Sequence, residues 1–263
     1  MDLIIKILVG FGVGTLIGMT GVGGGVLLLP ILLLGFHVPA MLAVGTDALF
    51  NFVTKIGASI VHLRKGTVKT KVVLALAVGS APGSYLGVTL LAHLRNEYGN
   101  GVNKFITVAV GFLLVLIPTF LFFQKRIEDR VAFAAVKPPT VKSFAGMSAI
   151  GLVAGFLVGI TSVGSGSIVM MMLLLFFSFQ PKVMVGTDIV HALILTGVTS
   201  LLHFRMHNID IHLAGALLIG SVPGGVFGSY LSTRVPVPWL RRILCAVLLA
   251  TGARMLTAAI FGG

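Results

Sequence analysis

The feature that most restricts what this chain can fold into is that it contains one unit twice. Residues 20–87 align without a gap on residues 161–228, an offset of 141, and 22 of these 68 positions are identical. A composition this rich in Leu, Gly, Val and Ala would match by chance at roughly six. The matches are not confined to apolar residues. They include Thr20/Thr161, Gly23/Gly164, Gly25/Gly166, Gly45-Thr46-Asp47/Gly186-Thr187-Asp188, His62/His203 and Arg64/Arg205. Gly79-Ser80 with Pro82-Gly83 likewise returns as Gly220-Ser221 with Pro223-Gly224.

Both copies are apolar. Of the 263 residues 57% are hydrophobic and 10% charged, and the mean hydropathy is +1.09. Runs of about 17 to 25 apolar residues recur, each long enough to cross a hydrocarbon core of about 30 Å as a helix. The chain therefore reads as an all-α polytopic membrane protein, with its N-terminus as the first membrane segment, since no small-residue cleavage site follows the apolar stretch. The net charge of +12 sits in short loops between apolar runs, which makes it a topology signal and not a nucleic-acid footprint. The lone Cys245 excludes an internal disulfide and a cysteine metal cluster. There is no P-loop, no HExxH and no paired soluble-type carboxylates, so neither enzyme chemistry, a metal nor a cofactor is expected.

The chain divides into a first membrane repeat (1–124), a polar cytoplasmic linker (125–143) and a second membrane repeat (144–263). Each repeat reads as an apolar run, a glycine break and a shorter run, followed by three helices: about 40–63, 72–93 and 104–123, then 182–203, 211–232 and 239–261. The short run 26–35 would be roughly 15 Å long as a helix and cannot cross alone. A re-entrant hairpin or bent pair is predicted. Three crossings per repeat would then place the copies in opposite orientations, and the 17 Lys and Arg residues outside Lys55 and Arg254 divide 13 to 4 between the two sides. If each broken segment crossed once, the split would be only 11 to 6. The inverted arrangement fits the positive-inside rule better and predicts both termini outside the cytoplasm.

Unpaired backbone inside a bilayer costs several kcal/mol per group, so a break survives only where it is buried in protein or lines a polar cavity. Glycine allows positive φ and close approach, and N–H groups clustered at a half-helix start favour an anion. Gly10, Gly14 and Gly18, at four-residue spacing, read as helix packing. The breaks read as a small-anion site drawn from Thr20, Val22, Gly23, Gly24 and Gly25 in the first copy. The second copy contributes Thr161, Ser162, Val163, Gly164, Ser165, Gly166 and Ser167. Asp47, Asn51 and Lys55 follow at i, i+4 and i+8 on one helix face, where Lys55 either neutralises Asp47 or contacts the anion. Asp188 is followed by His191, the better titrating candidate. Asp47 and Asp188, with the neighbouring Thr46 and Thr187, serve either a structural role near the helix start or proton handling. His62 with Arg64, and His203 with Arg205, read as helix-end residues; Trp239 reads as an interface anchor.

The motifs "GVGGGVLLLP", "AVGTDALFNF" and "GSAPGSYLG" occur in order and recur as "SVGSGSI", "MVGTDIV" and "GSVPGGVFG". In these the chain, from about residue 3 to residue 256, resembles the sulfite exporter TauE/SafE family, also called the toluene-sulfonate uptake permease family. The resemblance implies a secondary carrier of the cytoplasmic (inner) membrane that moves sulfite, sulfonates or related organosulfur anions, often in export. Ser162, Ser165 and Ser167 replace Gly21, Gly24 and Val26 of the first copy, so the two halves would meet the anion differently, one by hydroxyls and the other by backbone. The expected mechanism is alternating access, with protons handled by Asp47, Asp188 or His191. The alternative is a passive small-anion channel, and a homo-oligomer is left open.

Overall fold

The computed structural model describes residues 3–20, 24–131, 141–166, 168–170, 181–231 and 237–261, and among these it is helical with no strand. Helix α1 spans Leu3–Thr20. The short α2, Gly24–Pro30, continues into a π-helical turn at Ile31–Gly35. Then follow α3 (Ala40–Arg64), α4 (Thr70–Tyr98) and α5 (Gly101–Val131), and in the second copy α6 (Val141–Thr161), α7 (Pro181–Arg205), α8 (Ile211–Leu231) and α9 (Val237–Phe261). Of the stretch expected to link the copies, residues 125–131 continue α5 and residues 141–143 begin α6.

Among the described residues six helices are long and apolar enough to cross a membrane: Thr70–Tyr98, Gly101–Phe120, Phe144–Thr161, Val183–Arg205, Ile211–Gly228 and Arg242–Ala259. Gly24–Gly35 is too short to do so, and every residue of α2 is buried. Large apolar side chains such as Leu74, Phe112 and Val226 are exposed on the long helices. An apolar exterior around a polar interior is the arrangement a lipid solvent favours. The protein is a multi-pass membrane protein.

Glycine decides which helices touch. Gly79, Gly83 and Gly87 of α4 lie against the carbonyls of Ser148, Leu152 and Phe156 of α6. The equivalent Gly220, Gly224 and Gly228 of α8 lie against Ile7, Phe11 and Thr15 of α1. Each pair is sealed from the other side, by Gly151 and Gly155 of α6 against Leu76 and Ser80, and by Gly10 and Gly14 of α1 against Leu217 and Ser221. A side chain at these positions would overlap backbone, which is how small residues let membrane helices approach. The opening helix of each copy thus packs on the glycine-rich helix of the other, and Gly10 and Gly14 have the packing role their spacing predicts.

The central pair is α3 and α7. Gly45, near the start of α3, lies against Asn208 and His203 at the far end of α7, and Gly186, near the start of α7, lies against Thr67 and His62 at the far end of α3. Each central helix therefore starts where its equivalent ends. The turns that follow also correspond: Gly66 has φ 65° and His207, its equivalent, φ 55°, a left-handed position where glycine is unstrained and histidine is uncommon. Two threonines complete these turns. Thr187 Oγ1 accepts the N–H of Lys69 at 3.0 Å, and Thr46 Oγ1 accepts the N–H of Asp210 at 3.0 Å. Each closes the start of a helix belonging to the other copy, satisfying a donor that helix geometry leaves free.

Candidate substrate site

Residues four apart on a helix lie one above another, and α3 turns Asp47, Asn51 and Lys55 inward together. Asp47 and Asn51 are fully buried and Lys55 is 9% exposed. The Asn51 amide donates to the Asp47 backbone carbonyl and to Asp47 Oδ2, both at 2.9 Å. Its Oδ1 accepts the Gly25 N–H at 3.0 Å and the Lys55 ammonium at 3.4 Å. One side chain therefore ties the start of α2 to the polar face of α3. Gly25 has no room for a Cβ, which would stand 2.8 Å from the Ser162 carbonyl oxygen, 2.9 Å from Asp47 Oδ2 and 3.0 Å from Asn51 Nδ2. Ser162 opens the second break, so the two breaks meet at Gly25.

The second break is held largely by its own atoms. Ser162 has φ 55° and Gly164 φ 90°. The Thr161 hydroxyl donates to the Leu157 carbonyl at 2.7 Å and accepts the Val163 N–H at 3.2 Å. Helical bonding resumes where Ile168 donates to Gly164 and Met170 to Gly166. Thr161 and Val163 are thus engaged within the break, and Ser165 is buried. Gly166 lies beside α7, where a Cβ would stand 3.0 Å from Asp188 Oδ2. The Thr20 side chain and residues Val22, Gly23 and Ser167 lie outside the described residues, as does the side chain of Trp239.

One turn beyond Asp188 the fully buried His191 places Nε2 2.9 Å from Ser80 Oγ of α4, and Ser84 meets Thr199 at 2.8 Å between the same two helices. The serine was legible only as part of the repeated Gly-Ser-Pro-Gly pattern, and its pairing with His191 was not. Lys55 is within electrostatic reach of both Asp188 and Asp47. Among the described residues, however, the ion pair within 4.0 Å is the exposed His93–Glu97, which leaves the ammonium without a carboxylate at bonding distance. Asp47 Oδ1, Ser162 Oγ, Asp188 Oδ1 and His191 Nδ1 are buried without a hydrogen-bond partner. Groups like these are costly to leave unpaired, and each calls for a polar partner or water.

Other polar residues brace the scaffold. His203 Nε2–H donates to the Gly159 carbonyl at 3.2 Å, His62 Nδ1 lies 2.9 Å from Thr67 Oγ1, and Arg64 and Arg205 are exposed at helix ends. Thr46 and Thr187 cap helices in the opposite copy.

A model of the sulfite exporter TauE/SafE family matches residues 6–255. The chain belongs to this family. It is 34% identical over 251 residues to the probable membrane transporter protein YjnA of Bacillus subtilis (strain 168), covering 95% of this chain and 98% of that protein. To the probable membrane transporter protein YunE of the same organism it is 27% identical over 279 residues, covering 99% and 100%. No solved structure matches it. As a TauE/SafE protein the chain is a membrane transporter and not an enzyme.

In this TauE/SafE chain the two copies are unequal where they meet. Asn51 and Lys55 correspond to Ala192 and Thr196, while His191 corresponds to Phe50. The first copy brings the ammonium and the amide, the second a histidine and a carboxylate to which no described side chain donates. A single polar ligand between the breaks would meet different chemistry on its two sides.

Proposed function

We propose that the protein is a secondary carrier that moves sulfite or a related sulfonate anion across the cytoplasmic membrane, in the export direction, by alternating access with proton coupling. The observation that carries this reading is the meeting of the two breaks at Gly25, beside a buried lysine that no carboxylate neutralises at bonding distance. A sulfonate presents three acceptor oxygens around one negative charge. The Lys55 ammonium and the hydroxyl of Ser162 are donors suited to that shape, while both hydrogens of the Asn51 amide are taken by Asp47. Of the N–H groups of Val22 to Gly25 and Val163 to Ser167, those of Gly25 and Val163 are already held by Asn51 and Thr161; the others would add to these donors, with Thr20, Thr161, Ser165 and His191 beside them.

Alternating access suits a site that sits between two copies packed head to tail, because rocking one copy against the other opens the site first to one side and then to the other. The charge split of 13 to 4 supports opposite orientations of the copies and termini outside the cytoplasm. Reconstitution into vesicles tests the reading. Radiolabelled sulfite should exchange with saturation and accumulate uphill under an imposed pH gradient, and Lys55→Ala should abolish exchange. A passive channel gives flux that cannot concentrate its ion against the total electrochemical gradient. Thermal-shift screening against sulfite, thiosulfate, sulfoacetate, taurine, sulfate and chloride assigns the substrate class; stabilisation by chloride alone overturns the sulfur assignment.

A further inference from the structure

The two Gly-Thr-Asp motifs occupy equivalent positions, yet their aspartates stand in different surroundings. Asp47 Oδ2 accepts the Asn51 amide, and Asn51 also holds Lys55. At Asp188 the equivalents of those partners are Ala192 and Thr196, neither of which donates to a carboxylate there. Asp188 is 6% exposed, and its Oδ1, like that of Asp47, is buried with no hydrogen-bond partner; what differs is the amide that Asp47 Oδ2 accepts. The charged group whose field reaches it is Lys55. Of the remaining groups on elements packed against α7, α3 carries Asp47, which shares Lys55 with Asp188, and His62, which lies beside Gly186 and 2.9 Å from Thr67. Toward α7, α4 presents the hydroxyls of Ser80 and Ser84, and before its start the Lys69 side chain is exposed while its N–H meets Thr187. On α7 itself the nearest titratable group is His191, bonded to Ser80.

With both aspartates ionised and Lys55 charged, the site holds two negative charges and one positive. Adding an anion would bring a second uncompensated negative charge among buried groups, where desolvation penalises each such charge. A proton arriving with the anion leaves the total charge as it was. We propose that Asp188 is the site of that proton, and that Asp47, which accepts the Asn51 amide, stays ionised while Lys55 holds the anion. The proposal rests on the carrier reading and deepens it. The proton adds to the free Oδ1, the carboxyl becomes neutral, and both passengers leave together on the opposite side. One proton per monovalent anion makes the loaded and empty sites equal in charge, so net transport is electroneutral, and outward movement runs on the anion's own gradient, each exported anion taking a proton with it.

Vesicles carrying the full-length protein test this with radiolabelled sulfite. Wild-type protein is expected to accumulate sulfite under a pH gradient and to exchange it faster as pH falls. Asp188→Asn is expected to keep a measurable exchange whose rate, taken as a ratio to wild type so that the titration of sulfite itself cancels, no longer follows pH. Its uphill accumulation is expected to fall at least tenfold. Accumulation by Asp188→Asn that still follows the pH gradient overturns the proposal, as does accumulation by wild type that follows a sodium gradient instead. Should the variant fail to fold, calorimetry on the wild-type protein decides. Sulfite binding measured in buffers of different ionisation enthalpy is expected to take up about one proton per anion beyond that of sulfite itself, and uptake of none overturns the assignment. Wild-type protein that binds sulfite but exchanges none overturns the carrier reading, and the proton assignment with it.

Discussion

Lys69 donates its backbone N–H to Thr187 Oγ1 at 3.0 Å, so that a side chain of the second copy closes the start of a helix in the first. The return bond, from the Asp210 N–H to Thr46 Oγ1, has the same length. Replacing either threonine with valine keeps the shape and removes the acceptor. Each change should cost about 1 kcal/mol, and because the sites lie at opposite ends of the central helix pair the double variant should show nearly the sum. Thermal melts of the purified protein check this. Sulfite affinity should stay as in wild type, since neither hydroxyl faces the site.

The glycines of the helix pairs should separate into two classes. A methyl at Gly79 or Gly220 would overlap the backbone of the facing helix, so Gly79→Ala and Gly220→Ala should each destabilise by about 1 to 3 kcal/mol, as overpacking does. Nothing lies within 4 Å of a Cβ at Gly12 or Gly57. Alanine there should be neutral or stabilising by up to about 1 kcal/mol through helix propensity. Melting temperature and the folded fraction in detergent provide the comparison.

Gly25 should be far less tolerant than Gly166. At Gly25 the added methyl meets a backbone oxygen of Ser162 as well as Asp47 and Asn51, whereas at Gly166 its near neighbour is the Asp188 carboxylate, which can swing aside. Gly25→Ala is expected to reduce sulfite exchange at least a hundredfold and Gly166→Ala by tenfold or less. Equal losses would mean that the two breaks do not differ in the way their neighbours suggest.

Asn51→Ala copies the second repeat into the first, since Ala192 stands at the equivalent position. It removes the acceptor of the Gly25 N–H and of Lys55 together with the donor to Asp47. The predicted result is loss of sulfite-induced stabilisation and a fall of about 2 kcal/mol or more in stability, because buried partners are left unpaired. Lys55→Thr, the corresponding exchange one turn later, should abolish binding with a smaller loss of stability, since the bond it breaks is long at 3.4 Å.

His191→Phe places the first copy's Phe50 at the equivalent site in the second. It removes a buried ring nitrogen that has no partner but also leaves Ser80 without its 2.9 Å contact. His191→Phe with Ser80→Ala should therefore be more stable than His191→Phe alone. A double-mutant cycle on melting temperature measures the coupling, and additive effects would contradict the contact.

Much of the scaffold can be read along the chain. The helix expected at 72–93 is present, but it extends over Thr70–Tyr98, and the one expected at 104–123 runs over Gly101–Val131. Apolar runs mark the part of a helix that lipid covers, whereas backbone bonding continues into polar flanks such as Arg95 to Glu97. The candidate site is less legible. Asp47, Asn51 and Lys55 declare their shared face by spacing, but nothing local says that Asn51 reaches back to Gly25 or that His191 has Ser80 for a partner.

By itself the sequence determined the all-helical membrane architecture, its two equivalent units, the break in each and the glycine stripes that let helices close, because these follow from composition, short-range periodicity and the match of the chain to itself 141 residues on. Only the tertiary structure decided which groups meet. Gly25 finds Asn51 across 26 residues, Ser80 finds His191 across 111, Lys69 finds Thr187 across 118 and Asp210 finds Thr46 across 164. The last three pairings depend on how one copy docks on the other, and that docking is set by close backbone contact between distant helices, which no local pattern encodes.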